Sequence, residues 1–185
     1  DDKWFYVRQG KSSAFSIRKT KPQLKINPYK KFFRQGAIIV PRGFYFVDLT
    51  QEVPPDFEGR IINIKTSDTI KTEAKAPWKD IDLRGKIESR FLFRTAISKN
   101  ILPFAVFKPL LVALPITIEQ NGEDEKHIRI FSQTELMREG YLNASQWFRN
   151  VENIWRIHRT QLNEKYTATE YLNYQNKIIT QDVNS

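Results

Sequence analysis

The sequence predicts an α+β fold, and three observations predict it. Runs of β-branched and aromatic residues punctuated by Pro and Gly occupy residues 37–47 and 60–65 and recur between 100 and 130, the pattern of strands and turns. In the last third a helical period takes over: Trp147, Val151, Ile154, Trp155, His158 and Leu162 fall on one helix face. Between the two lie residues 82–98, where Ile87, Phe91 and Ala96, with Leu92 and Thr95, can also line one face of a helix. The expected architecture is a twisted, mostly antiparallel sheet, one helix near residues 85–98, and a helical C-terminal third.

Taken in order, residues 37–40 and 44–47 read as two strands about the turn Pro41-Arg42-Gly43. Residues 60–65 alternate well enough to be a half-buried strand, and the polar residues 66–77 read as a loop. After the helix at 82–98 the chain returns to strand and turn. Residues 116–118 are expected to pair with 127–130 as a hairpin across a loop containing Asn121 and Gly122. Ser132 with Glu135 forms a capping box for a short helix ending near Gly140. A long helix over 143–165 follows, then a short one capped by Thr167 with Glu170. Residues 1–131 thus make a basic, strand-rich core, and residues 132–185 a helical part packed on it within one domain.

Charge is unevenly placed along this chain. From Lys3 to Val47 there are eleven Lys or Arg and no Asp or Glu. The net charge is +9, and nearly all of it comes from the first 50 residues. A localised charge implies a polyanionic partner at one face. Trp4, Phe5, Tyr6, Phe15, Tyr29, Phe32 and Phe33 interleave with the bases, as in a folded nucleic-acid-binding platform rather than a solvated tail. The candidate nucleic-acid-binding residues are Lys11, Arg18, Lys19, Lys21, Lys25, Lys30, Lys31, Arg34 and Arg42.

Composition excludes several other classes. With 40% hydrophobic and 13% aromatic residues the chain can bury a substantial core. No apolar run reaches the roughly 20 residues of a membrane span. The longest, Ile101 to Ile118, is broken by Pro103, Lys108, Pro109 and Pro115, so no membrane partner is expected. The opening Asp1-Asp2-Lys3-Trp4 is not a signal peptide, and without an initiator methionine the chain is expected to be a piece of a longer protein. The absence of cysteine removes disulfides, thiolate metal sites and cysteine nucleophiles, and suits a cytoplasmic setting.

Three motifs bear on chemistry. Asn27-Pro28-Tyr29 is close to the Asn-Pro-Pro-Tyr signature of amino-group methyltransferases, but lacks the second proline, the preceding strand and a Gly-rich cofactor loop. Asp56, Glu73 and Lys75 match the text of a magnesium-dependent PD-(D/E)xK-like nuclease, whose two acids hold the metal beside a lysine. Glu73 belongs to a stretch without a strand pattern, so the nuclease stands as an alternative. His127 borders a solvated acidic loop, a poor metal site, and His158 falls on the apolar helix face as a core residue. The residues themselves therefore indicate no catalytic group, no metal and no cofactor in this chain.

Four ordered stretches carry a family resemblance. They are residues 35–47 (Gln-Gly-Ala-Ile-Ile-Val-Pro-Arg-Gly-Phe-Tyr-Phe-Val); 74–79 (Ala-Lys-Ala-Pro-Trp-Lys) with 83–88; 101–104 (Ile-Leu-Pro-Phe) with 113–116; and 171–178 (Tyr-Leu-Asn-Tyr-Gln-Asn-Lys-Ile). In this order they resemble the C-terminal region of N6-adenine DNA methyltransferases of prokaryotic restriction-modification systems, single-chain restriction-methylation enzymes included. The resemblance spans residues 33–181. It implies a target-recognition domain that reads duplex DNA, with a recognition-domain-like helix and no chemistry of its own. It also implies a missing N-terminal methyltransferase domain of the same protein, which would hold S-adenosylmethionine and methylate adenine, with or without endonuclease activity. The family pattern continues past the last stretch, so Ser185 is expected to be a truncation point. A third reading, from the N-terminal aromatics alone, is a sequence-neutral RNA- or single-strand-binding module.

Overall fold

The computed structural model describes residues 3–9, 11–17, 36–52, 58–121 and 125–181. The chain divides into two compact units, Asp1–Gln35 and Gly36–Ser185. In the first, β1 (Phe5–Gln9) and β2 (Ser12–Ser16) form an antiparallel hairpin. Tyr6 stands opposite Phe15 there, and their exposed rings meet edge to face at 5.7 Å.

The second unit is built on a five-stranded sheet. Its strands are β3 (Phe46–Leu49), β4 (Ile61–Thr66), β5 (Arg84–Glu88) and β6 (Leu92–Thr95), and, after the two-residue strands β7 (Ile101–Leu102) and β8 (Ala105–Val106), β9 (Leu110–Ala113). The order is β5-β4-β3-β9-β6, and every pairing is antiparallel. The alternation read over residues 60–65 is a half-buried strand, with Ile62, Ile64 and Thr66 buried. The expected hairpin is present as β10 (Ile116–Asn121) and β11 (Glu125–Ile130), pairing Ile116 with Ile130 and Ile118 with Ile128.

The C-terminal third is helical. In α3 (Gln133–Arg138) the Ser132 hydroxyl accepts from the Glu135 N–H while the Glu135 carboxylate accepts from the Ser132 N–H, the capping box the sequence specifies. Gly140, at φ 84°, lets the chain turn out of that helix. In α4 (Leu142–His158) Trp147, Val151 and Trp155 are buried. The Trp147 indole lies against β5, where a Cβ on Gly85 would stand 3.3 Å from Cε3. No side chain of α4 itself caps its N-terminus. Glu88, at the end of β5, reaches across and accepts from the backbone N–H groups of Asn143 and Ala144 at 3.0 and 2.7 Å. A further capping box, Thr167 with Glu170, opens α5 (Ala168–Leu172). The buried Tyr45 hydroxyl donates to the Ala168 carbonyl at 2.9 Å, tying this helix to the start of the sheet. Burial, reinforced by Glu152, raises the pKa of that hydroxyl far above its ordinary 10.0. Residues on both sides of position 131 share one hydrophobic core.

Four local expectations are corrected. Residues 84–95 form β5, a 3-10 turn (Ser89–Phe91) and β6 in place of a helix. Ile87 and Phe91 are buried as expected, but Ile87 is placed by pairing with Ile62. Pairing with β4 buries Ile87 in the core, and Gly85 weakens a helix at this point. Residues 36–40 form no strand, and Pro41 opens one turn of helix, α1 (Arg42–Tyr45), instead of a hairpin turn. The loop at 66–77 contains α2 (Asp68–Glu73), whose only buried residue is Ile70. With one apolar residue it leaves no periodic trace, and Asp48 anchors it by accepting from the Asp68 N–H at 2.8 Å. Finally, α4 ends at His158, leaving His158 and Leu162 exposed. The Trp155 indole donates to the Tyr166 carbonyl at 2.8 Å, which requires the chain to double back.

Candidate nucleic-acid interface

Of the nine candidate nucleic-acid-binding residues, Lys11 and Arg42 lie among those described. Lys11 is exposed in the turn between β1 and β2. Arg42 is exposed at the start of α1, its guanidinium 3.9 Å from the Glu73 carboxylate and 6.0 Å over the Phe46 ring. Arg18, Lys19, Lys21, Lys25, Lys30, Lys31 and Arg34 lie outside the described residues, as do Asn27-Pro28-Tyr29 and Asp56.

Glu73 is better defined than the sequence suggested. It closes α2, with its carboxylate held between Arg42 and the Lys99 ammonium. Two cations on one carboxylate compete with metal ligation there. Lys75 follows in an exposed turn in which the Trp78 N–H donates to the Lys75 carbonyl at 2.9 Å. Among the described residues no three His, Asp or Glu side chains gather into a metal-holding group. His127 faces Glu119 across the β10–β11 hairpin at 3.4 Å.

Beside Glu73 opens a cleft of about 460 Å³. Its wall is aromatic: Trp78 stacks on Trp155 at 5.6 Å with 11° between the planes, and Tyr171 lies 4.7 Å beyond. Phe44 and His158 meet Trp78 edge-on. Trp155 is therefore core, as its helical spacing implied, and also lines the cleft. His158, read as a core residue, is instead exposed and lines it too. Arg42, Lys75 and Glu73 are the charged lining groups. The cleft thus combines an aromatic wall with charged groups of both signs.

From Lys99 the chain rises into the β7–β8 hairpin. Asn100, a buried polar residue, pins its base: the side-chain amide donates to the carbonyls of Phe107 and Lys108 at 3.2 and 3.0 Å, and its oxygen accepts from the Ile97 N–H at 3.0 Å. Above that anchor Ile101, Leu102, Phe104, Val106 and Phe107 are all exposed, and the Phe104 side chain is fully so. Residues 89–118, which contain the hairpin, include Arg90, Arg94, Lys99 and Lys108 and no acid. This second acid-free segment is visible in the sequence, though it carries four cations against the eleven of the N-terminal run.

Several other cations are matched. Lys65 pairs with Asp68, Lys71 with Asp82, and Arg129 with Glu119, Glu135 and Glu139. Those three carboxylates, Glu139 foremost, raise the pKa of the Arg129 guanidinium and hold its charge firmly. Comparisons with protein-family models, with curated proteins and with solved structures each returned no match.

Proposed function

We propose that this chain is a sequence-specific duplex-DNA recognition module that serves a catalytic domain of the same protein. The observation that carries the reading is the run of eleven bases and no acids from Lys3 to Val47. Polyphosphate binding draws on such localised charge through counterion release. The second acid-free segment and the aromatic cleft beside Arg42 support it, since base reading needs groups other than phosphate-binding lysines. The ordered motifs that resemble those of adenine-N6 methyltransferases suggest the rest: the catalytic domain would bind S-adenosylmethionine and methylate adenine in a prokaryotic cytoplasm. Among the described residues no helix is long and apolar enough to cross a membrane.

The test is a fluorescence titration of the whole chain against a random-sequence duplex at several salt concentrations. If roughly six bases meet phosphates, the log–log slope is about −5. A slope near zero ends the reading. The exposed rings of Trp4, Tyr6 and Phe15 favour a second one, a single-strand binder that stacks bases on aromatics. Preference for an unpaired strand over the duplex in competition would establish that reading instead.

A further inference from the structure

Sequence and backbone disagree at the tip of the β7–β8 hairpin. Ile101 pairs with Val106 and Leu102 with Ala105, so Pro103 and Phe104 form a two-residue turn. Phe104 takes φ 65°, a conformation suited to Gly or Asn and unfavourable for a bulky side chain. Its ring gains nothing from burial, being fully exposed. Neither the turn nor the core accounts for a phenylalanine here, and strain of this kind is retained where a function needs the side chain.

We infer that the hairpin is a wedge for duplex DNA, with the Phe104 ring inserting between adjacent base pairs and Leu102 and Pro103 following it. This rests on the DNA-binding reading above and adds how the duplex is deformed. Charge selects the partner. The hairpin belongs to a 30-residue segment with four cations and no acid, and Lys99 and Lys108 stand at its two feet. Lys108 lies over the Phe107 ring at 5.2 Å. Glu73, the carboxylate joined to Lys99, is already neutralised by Arg42 as well. An apolar tip between cationic feet matches base steps flanked by phosphates, and apolar wedges of Phe, Leu or Pro kink and partly unstack such steps. The Asn100 anchor gives the tip the fixed base that insertion requires.

The test is relaxation of a closed circular plasmid by topoisomerase I in the presence of the whole chain, followed by separation of the topoisomers. Insertion unwinds the duplex, so the wild-type protein should shift the topoisomer distribution in proportion to protein bound. Phe104→Gly removes the ring and relieves the positive φ, so it should keep or raise the melting temperature. It should abolish the shift, while its duplex Kd rises by no more than about tenfold, because unstacking offsets part of the stacking gain. Phe104→Trp should retain the shift, and its new indole should be quenched by duplex. Equal shifts from wild type and Phe104→Gly at equal binding overturn the wedge and leave the DNA reading intact. No salt-dependent duplex binding by the wild type overturns both. Sedimentation with phosphatidylserine vesicles that is lost in Phe104→Gly, without a plasmid shift, makes the tip a membrane contact and overturns the wedge.

Discussion

Trp155 is the side chain whose loss should be felt most. It is buried among Trp78 and Tyr171, and its indole N–H is bonded to the Tyr166 carbonyl. Trp155→Ala is expected to cost about 3–5 kcal/mol, read as a fall in the denaturation midpoint. Arg42→Ala should behave oppositely, since an exposed ion pair contributes little stability. Its melting temperature should hold while duplex affinity weakens and the salt slope shallows by about 1. If Trp155→Ala folds normally but loses DNA, and Arg42→Ala unfolds, core and binding face are inverted. Gly85→Ala probes the sheet from the other side. The added methyl presses on Trp147, which is fixed in the core, and overpacking of this kind costs about 1–3 kcal/mol. The two tryptophans were legible as core from their helical spacing. The need for glycine at position 85 was not, because it arises from a residue 62 positions away.

At the scale of elements, α3 and α5 carry their own caps and were legible, while α4 starts where expected and was overextended only at its C-terminal end. α3 and α5 each open with a reciprocal Ser/Thr–Glu pair, a signal contained within four residues. α4 takes its cap from Glu88, which no local pattern announces. Glu88→Ala should therefore destabilise the protein by about 1–2 kcal/mol in chemical denaturation, with Glu88→Gln recovering part of the loss through its remaining oxygen. A loss no greater than that of an ordinary surface carboxylate would show that α4 is held by packing alone.

For the whole molecule, acid should be the sensitive direction. Asp68 is held below its ordinary 3.8 chiefly by Lys65, Asp82 likewise by Lys71, and Glu135 below its ordinary 4.5 by the Ser132 N–H. A carboxylate with a depressed folded value stabilises the fold above its unfolded value, and that stability is lost as pH falls through the folded one. The melting temperature should thus stay level from neutrality to about pH 5 and decline below the ordinary carboxylate range. Asp82→Asn should shallow the decline. A melting temperature unchanged down to pH 3 would refute this. On the ligand side, calorimetry should detect no S-adenosylmethionine binding to this chain, because its sequence has neither a Gly-rich loop after a strand nor a complete Asn-Pro-Pro-Tyr motif. Micromolar binding would reopen Asn27-Pro28-Tyr29.

What the sequence by itself determined is what short-range physics controls. The α+β order, the alternation of β4, the β10–β11 pairing, two capping boxes and the buried face of α4 each follow from residues within a turn or a hairpin of one another. The charge run of residues 3–47 belongs with them, since it needs no fold to be counted. Only the tertiary structure decided that residues 84–95 are strands, because their backbone groups find partners on β4 and β9, one of them formed later in the chain. It also decided that Trp78, Trp155 and Tyr171 line one cleft, and that Phe104 stands exposed on an anchored turn. Period and propensity are properties of neighbours along the chain. Which apolar groups are covered, and which are left at the surface, depends on residues the fold brings from far away.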